Sequence, residues 1–206
     1  LKLTPHFDSN TISQLQKRNI KVVPFLSNHW NRDVGRAALN NRKSLIKEIV
    51  DVIEEYSLDG INVDIENITH EDKENFTQFI KELRESLPKD KELSIAVAAN
   101  PKGYTSGWHG AYDNEKLAQY ADYLMIMSYD EHYEGGSPGP ISSIQFAEES
   151  IKHELKNVPS KKIVLGLPFF GRYWKDDGSI KGKGISLIKV NELINKYNGT
   201  VTFDDY

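Results

Sequence analysis

The chain has 206 residues with 26 basic and 30 acidic side chains, and its scattered basic residues and formal net charge of −4 argue against a nucleic-acid partner. Hydrophobic residues make up 38% and aromatic residues 10%, which is enough to build a sizeable core and excludes a disordered chain. No apolar run approaches the roughly 20 residues of a membrane helix, so we expect a globular protein with no membrane partner.

Five short apolar runs rich in β-branched residues predict strands at residues 21–26, 60–65, 93–99, 123–128 and 163–169. Apolar residues at intervals of three and four predict amphipathic helices at residues 9–19, 42–56, 71–87, 115–120, 144–155 and 187–197. Strands and helices therefore alternate along the chain, as they do in α/β proteins with parallel strands.

An α/β chain of this kind forms either a barrel or an open doubly wound sheet. No glycine-rich phosphate loop of the GxGxxG or GxxxxGK[ST] type follows any predicted strand, so the main argument for a nucleotide-binding sheet is missing. We therefore expect a (β/α)8 TIM barrel. The Gly/Pro cluster at residues 135–140 follows a strand, where the loops of a barrel build the active site.

The second predicted strand carries an unusual acidic face. Because side chains alternate along a strand, Asn62, Asp64 and Glu66 lie on one face, and the apolar residues between them lie on the other. The apolar face has to pack on the helices, which turns the two carboxyl groups into the barrel. Burial of unpartnered carboxylates is costly, so stability alone does not explain them.

Neighbouring carboxyl groups shift each other's proton affinity, so that one stays ionised and the pKa of the other rises. Glu66 is last on the strand and has the longer side chain, so we assign it as the general acid and Asp64 as the orienting carboxylate. The alternative is a solvated edge strand, or an acidic pair held by buried Arg or Lys. The regular alternation of strands and helices places this strand inside the sheet and favours the first interpretation.

Three ordered motifs carry a resemblance to a known family. Residues 59–66 (DGINVDIE) resemble the DxxDxDxE signature of glycoside hydrolase family 18, the chitinase-like (β/α)8 barrels, residues 127–130 (MSYD) resemble its MxYD motif, and residues 166–172 (GLPFFGR) resemble its GxPx[YF]GR motif. The resemblance extends over about residues 25–174. It points to the bacterial branch with spore-cortex-lytic and cell-wall-associated members.

This resemblance implies a substrate-assisted retaining reaction, in which the 2-acetamido oxygen of the sugar attacks the anomeric carbon. Glu66 would then protonate the leaving oxygen, Asp64 would accept a hydrogen bond from the acetamido N–H, and Tyr129 would donate its hydroxyl to the acetamido oxygen. Asp130 would hold a sugar hydroxyl, and Met127 belongs to the same binding motif. No cofactor is implied.

Asn62 stands where the family usually has its second Asp. The resemblance assigns that Asp a shared proton with the residue at position 64, so Asn62 is expected to reshape the proton exchange and to slow turnover. An amide N–H at this position would still be able to hold Asp64 in its ionised form.

Aromatic residues in predicted loops favour a sugar-binding groove. Trp108 lies after the third predicted strand, and Tyr133, Tyr173 and Trp174 follow the fourth and fifth, where flat rings suit stacking on pyranose faces. Taken singly, each of these rings is equally compatible with loop packing. For Tyr129 the alternative is a core aromatic position, which is less favoured than the role in the motif. His29, His109 and His132 lack a compact ligand spacing, so we expect no metal.

Two functions from different classes remain open. The first is hydrolysis of β-1,4-linked N-acetylglucosamine polymers, either chitin or peptidoglycan, and the second is a glycan-binding module on the same barrel without turnover. The acid at Glu66 favours the enzyme, and short loops favour cell-wall or cortex glycan over chitin. An aldolase or isomerase barrel would need an inward Lys or a phosphate-binding Gly loop, and neither is visible.

Length and location follow from the same family resemblance. A complete (β/α)8 barrel takes about 250 residues, so we expect residues 1–206 to form a partial catalytic barrel that lacks its first and last strands. We expect a monomer that acts outside the cell or on the cell wall or spore, with an export signal outside this chain. The absence of cysteine excludes disulfides but leaves the compartment open.

Overall fold

The computed structural model describes residues 3–203 and contains a parallel sheet of five strands. The strands are β1 (Phe25–Ser27), β2 (Gly60–Asp64), β3 (Glu92–Ala98), β4 (Tyr123–Met127) and β5 (Ile163–Gly166). They lie side by side in chain order, each parallel to the next. A doubly wound sheet reverses its strand order at a switch point, whereas chain order is typical of a barrel wall. The closure into eight strands stays a prediction.

Seven α-helices accompany the strands in the part of the chain that the structure describes. They are α1 (Ser9–Gln16), α2 (Arg32–Asn40), α3 (Arg42–Glu55), α4 (Lys73–Ser86), α5 (Asn114–Tyr120), α6 (Ile144–Glu154) and α7 (Leu187–Tyr197). Six of them match the predicted helices to within a few residues. The sequence missed α2 because Gly35 and a polar composition weaken its pattern, although Asn31 caps its first turn by accepting hydrogen bonds from Asp33 and Val34.

The predicted packing of the acidic strand is confirmed. Ile61, Val63 and Ile65 are buried in the hydrophobic core together with residues of α3 and α4, such as Ile49 and Phe79. The intervening residues of the same segment point away from this core and stay half-buried. The sheet thus has an apolar face against the helices and a second face that carries polar groups.

The first predicted strand is shorter than expected. It was predicted at residues 21–26, but β1 begins only at Phe25. Pro24 has no backbone N–H to donate, although its carbonyl oxygen still accepts a hydrogen bond from the N–H of Asn62 at 2.8 Å. Among the described residues, β1 and β5 each have a strand neighbour on one side only.

The prediction of one strand at residues 163–169 was wrong in its second half. Strand β5 stops at Gly166, and the chain continues into an antiparallel hairpin of β6 (Phe170–Trp174) and β7 (Lys181–Ser186). Tyr173 and Trp174, which the sequence places in a loop, therefore lie on a strand. Glycines in β7 weaken its strand pattern, which is why the hairpin is hard to see in the sequence.

Candidate active site

The two carboxyl groups of the acidic strand lie at the carboxyl end of the sheet. Asp64 is the last residue of β2, and Glu66 lies two residues past the strand rather than on it. Both are half-buried. The Oδ1 atom of Asp64 is fully buried without a hydrogen-bond partner, and within residues 3–203 no side chain donates a hydrogen bond to the Glu66 carboxyl.

Burial dominates the electrostatics of this pair. Burial, and secondarily the negative charges of Asp64 and Asp130, raise the pKa of Glu66 from 4.5 to about 7. Burial also raises the pKa of Asp64. Glu66 therefore keeps a proton at neutral pH in a large fraction of molecules, as a general acid requires.

Asn62 lies next to this pair, but its amide points elsewhere. Its Nδ2 donates to Ser94 Oγ at 2.9 Å, because the two residues are directly opposite in the pairing of β2 with β3. The amide donor that the sequence assigned to Asp64 is therefore used by the neighbouring strand. Among residues 3–203, no side chain forms a hydrogen bond with the Asp64 carboxyl that would hold it in its ionised form.

Tyr129 follows β4 and belongs to the same electrostatic cluster. Burial, followed by the charges of Glu66, Asp64 and Asp130, raises its pKa to about 12, so the hydroxyl keeps its proton and is a hydrogen-bond donor at neutral pH. The edge of its ring packs against Phe170 with centroids 5.9 Å apart. A carboxylic acid, a second carboxyl and a phenol thus meet at one end of the sheet.

Asp130 is bound within the protein, which the sequence does not predict. Both of its carboxylate oxygens accept hydrogen bonds from Arg172 at 2.7 and 2.8 Å, and Arg172 also donates to the carbonyl of Gly182 at 2.8 Å. The pair joins the end of β4 to the β6–β7 hairpin. Asp130 has a left-handed backbone with φ of +57°, which Asp tolerates better than most residues.

Met127 ends β4 on the face opposite the hydrophobic core. It is buried, yet it is outside the core cluster that contains its strand neighbours Leu124 and Ile126. It therefore shares the inner face of the sheet with Asn62, since side chains alternate along both strands.

The aromatic residues form two groups. Trp108 packs edge-on against Trp30 at 5.1 Å, and Trp30 is 51% exposed. The sequence pointed to Trp108 but missed Trp30, although Trp30 also follows a predicted strand. Trp174 lies on the hairpin and donates its Nε1–H to the carbonyl of Gly136 at 2.9 Å, next to the half-buried Tyr173.

The histidines take no part in a metal cluster. Across residues 3–203, no group of three or more His, Asp or Glu side chains is arranged to hold a metal ion. His109 packs beside Trp108 with centroids 5.5 Å apart, and His132 Nδ1 lies 3.0 Å from the carbonyl oxygen of Pro140. In the same part of the chain, no helix has the length and apolar character needed to cross a membrane.

An acid with a raised pKa, a second carboxyl and a tyrosine hydroxyl, gathered past the ends of parallel strands, form the arrangement expected of an α/β glycoside hydrolase. The family model described as glycosyl hydrolases family 18 matches residues 5–205. The chain belongs to this family. Its fold is therefore of the α/β TIM-barrel type.

Two of the similar proteins come from Bacillus species. The uncharacterized glycosylase YvbX of Bacillus subtilis is 27% identical over 212 residues, which cover 93% of this chain and 62% of that protein. The cortical fragment-lytic enzyme of Bacillus anthracis is 28% identical over 199 residues, covering 95% of this chain and 46% of that protein. The chain thus spans about half to three-fifths of the length of these two relatives.

A solved chitinase has the same fold. The crystal structure of chitinase from Chromobacterium violaceum superposes with a TM-score of 0.85 at 28% sequence identity, over 99% of this chain and 67% of that chain. The five-stranded sheet and its helices therefore follow the architecture of a known chitinase.

Proposed function

We propose that this protein hydrolyses β-1,4-linked glycans that contain N-acetylglucosamine, with Glu66 as the general acid. The observation that carries the proposal is the position of Glu66, half-buried two residues past the end of β2 and beside Asp64, where burial and the neighbouring carboxylates raise its pKa to about 7. A glutamic acid that is still protonated near neutral pH is able to give its proton to a leaving glycosidic oxygen.

The reaction is substrate-assisted. The acetamido oxygen of the sugar attacks the anomeric carbon while Glu66 protonates the departing oxygen, so the glycosidic C–O bond breaks and an oxazolinium ion forms. Asp64 accepts a hydrogen bond from the acetamido N–H and stabilises the positive charge. Tyr129 donates its hydroxyl to the acetamido oxygen and aligns it. Water then attacks the anomeric carbon and gives a proton to the Glu66 carboxylate, while the bond to the acetamido oxygen breaks and the acetamide is restored. The two displacements together retain the configuration.

The glycan lies along the inner face of the sheet and the loops around it. Trp108, together with Trp30, stacks on one pyranose ring, and Tyr173 and Trp174 of the hairpin form a second contact region. Met127 and Asn62 line the inner face beneath the sugar. Asp130 reaches a sugar hydroxyl while Arg172 holds its carboxylate.

Cell-wall or spore-cortex glycan is the favoured source of the substrate. The matched relative from Bacillus anthracis is named a cortical fragment-lytic enzyme, although the solved relative is a chitinase. Both polymers present the same 2-acetamido sugar, so the catalytic residues do not distinguish them. A cortex substrate implies action outside the cell or at the spore. We also propose that the protein is a monomer and that this chain is part of a single catalytic barrel.

The test compares two substrates. Chitooligosaccharides and purified cortex muropeptides are incubated with the protein, and the products are analysed by mass spectrometry. We expect cleavage of the cortex glycan by the wild type and none by Glu66→Gln. Glu85→Gln, which changes an exposed residue of α4, is the matched control and should cleave like the wild type. Binding of glycan without cleavage by the wild type would support the non-catalytic binding module instead.

A further inference from the structure

The backbone at Glu66 lies past the end of strand β2 and outside the sheet. Strand β2 pairs with β1 as far as Asp64 and with β3 as far as Val63, so the peptide groups of Ile65 and Glu66 have no strand partner. Unpaired buried peptide groups are costly, and their hydrogen bonds have to come from elsewhere.

One side chain forms hydrogen bonds with both the N–H and the carbonyl of Glu66. The Oδ1 atom of Asn28 accepts a hydrogen bond from the Glu66 N–H at 2.9 Å, and its Nδ2 donates to the Glu66 carbonyl at 2.8 Å. The second Nδ2 proton goes to the carbonyl of Asn31 at 2.8 Å, and Asn28 is only 4% exposed. A Cβ atom at Gly35 would lie 2.9 Å from this Nδ2, so the glycine of α2 leaves room for the amide.

A second side chain forms a hydrogen bond with the backbone of the preceding residue, Ile65. The hydroxyl of Tyr112 donates to the carbonyl of Ile65 at 3.0 Å and accepts a hydrogen bond from Trp108 Nε1 at 2.9 Å. Tyr112 is 7% exposed, and its ring packs edge-on against Phe76 at 5.7 Å. The proton and one oxygen lone pair of this phenol are therefore used in hydrogen bonds within the protein, away from solvent.

We propose that Asn28 and Tyr112 are positioning residues for the acid, holding the backbone at Ile65 and Glu66 in the geometry that aims the Glu66 carboxyl at the leaving oxygen. This inference rests on the proposed function. Within the described residues nothing donates to the carboxyl itself, so its placement depends on the main chain beneath it. A shift of about 1 Å in a reacting group can lower a rate by about 100-fold.

The key variant is Tyr112→Phe, which removes one hydroxyl and keeps the ring against Phe76. The matched control is Tyr123→Phe, which removes a hydroxyl bonded to Glu92 at 2.9 Å at the other end of the sheet. A second variant, Asn28→Ala, removes the bonds to Glu66. Both kcat and KM are measured with the glycan that the wild type cleaves, together with thermal unfolding.

We expect Tyr112→Phe to lower kcat by more than about fivefold relative to Tyr123→Phe, with KM within about twofold, and Asn28→Ala to lower it further. Conversely, a kcat of Tyr112→Phe within about fivefold of the control overturns its positioning role. A change confined to unfolding temperature, with kcat retained, overturns it as well, because that is the signature of a purely structural contact. If Asn28→Ala does not fold, Tyr112→Phe alone decides.

Amide hydrogen exchange at Glu66 separates this inference from the proposed function. If the wild type cleaves no glycan, the proposed function fails. The exchange measurement then decides whether Asn28 restrains the backbone at Glu66. We expect the Glu66 amide to exchange more than about fivefold faster in Asn28→Ala than in the wild type, while core amides of β3 exchange at the same rate. This result would support the restraint by Asn28. Unchanged exchange at Glu66 refutes it.

Discussion

Replacing Glu66 with glutamine should change stability in a way that depends on pH. The folded protein raises the pKa of this carboxyl from 4.5 to about 7, so folding favours its neutral form. Between these two pH values the folded state binds more protons than the unfolded state, and the stability of the wild type falls as pH rises. Glutamine is neutral throughout and has a similar shape, so the variant does not lose stability in this way.

The size of the effect follows from the two pKa values. The difference between 4.5 and about 7 corresponds to about 3 kcal/mol, reached fully above pH 7 and absent below pH 4.5. For a chain of this size, a change of that much in the free energy of unfolding corresponds to a shift in unfolding temperature on the order of 6–12 °C. Glu66→Gln should therefore unfold at a higher temperature than the wild type at pH 8 and at nearly the same temperature at pH 4.

Denaturant and thermal unfolding at both pH values, monitored by circular dichroism, measure this difference. Glu85→Gln removes an exposed carboxyl from α4 and controls for the general loss of one negative charge. An equal effect of Glu66→Gln at pH 4 and pH 8 would refute the reasoning, because burial of the charged form would then not be its cause. The same variant should have no hydrolytic activity at either pH.

Three further substitutions test other parts of the site. Asp64→Asn removes a charge that raises the pKa of Glu66, so the alkaline limb of the pH–rate profile should move to lower pH. We also expect kcat to fall by about 100-fold or more. An unmoved alkaline limb would contradict the effect of the Asp64 charge on Glu66. Tyr129→Phe should lower kcat by about 10²-fold on acetamido substrates, measured under saturating conditions, and an unaltered kcat would remove the phenol from the mechanism. Arg172→Ala leaves Asp130 without its two hydrogen bonds and should destabilise the protein by about 2 kcal/mol in urea unfolding, whereas full stability would show that the pair is only an exposed contact.

The acidic strand was the most predictable part of the site. Its alternation of three apolar residues with Asn62, Asp64 and Glu66 fixes which face is buried, because a register shift of one residue would place the carboxyl groups in the core. The helices were predictable for the same reason, since their apolar periodicity is long. Of the seven helices that the structure describes, only α2, with Gly35 near its centre, lacks a pattern strong enough to be recognised.

The contacts between distant segments were not predictable. Arg172 meets Asp130 across 42 residues of sequence, and Asn28 meets Glu66 across 38. Each side chain is an ordinary polar residue in a loop or strand until the fold brings it to its partner. The direction of the Asn62 amide was missed in the same way, because the register between β2 and β3 decides that Ser94 lies opposite.

The β6–β7 hairpin has consequences for altering the substrate preference of this protein. Its strands are held up to the residues that flank the turn, by the Arg172 pair, by the Trp174 bond to Gly136 and by the Gly135 N–H that donates to the carbonyl of Lys181 at 2.8 Å. The described hydrogen bonds of residues 175–180 run within the turn itself. The turn can therefore be randomised in a library without removing the hydrogen bonds that anchor the two strands. Variation there would sample new glycan contacts while the acid and its backbone supports stay unchanged.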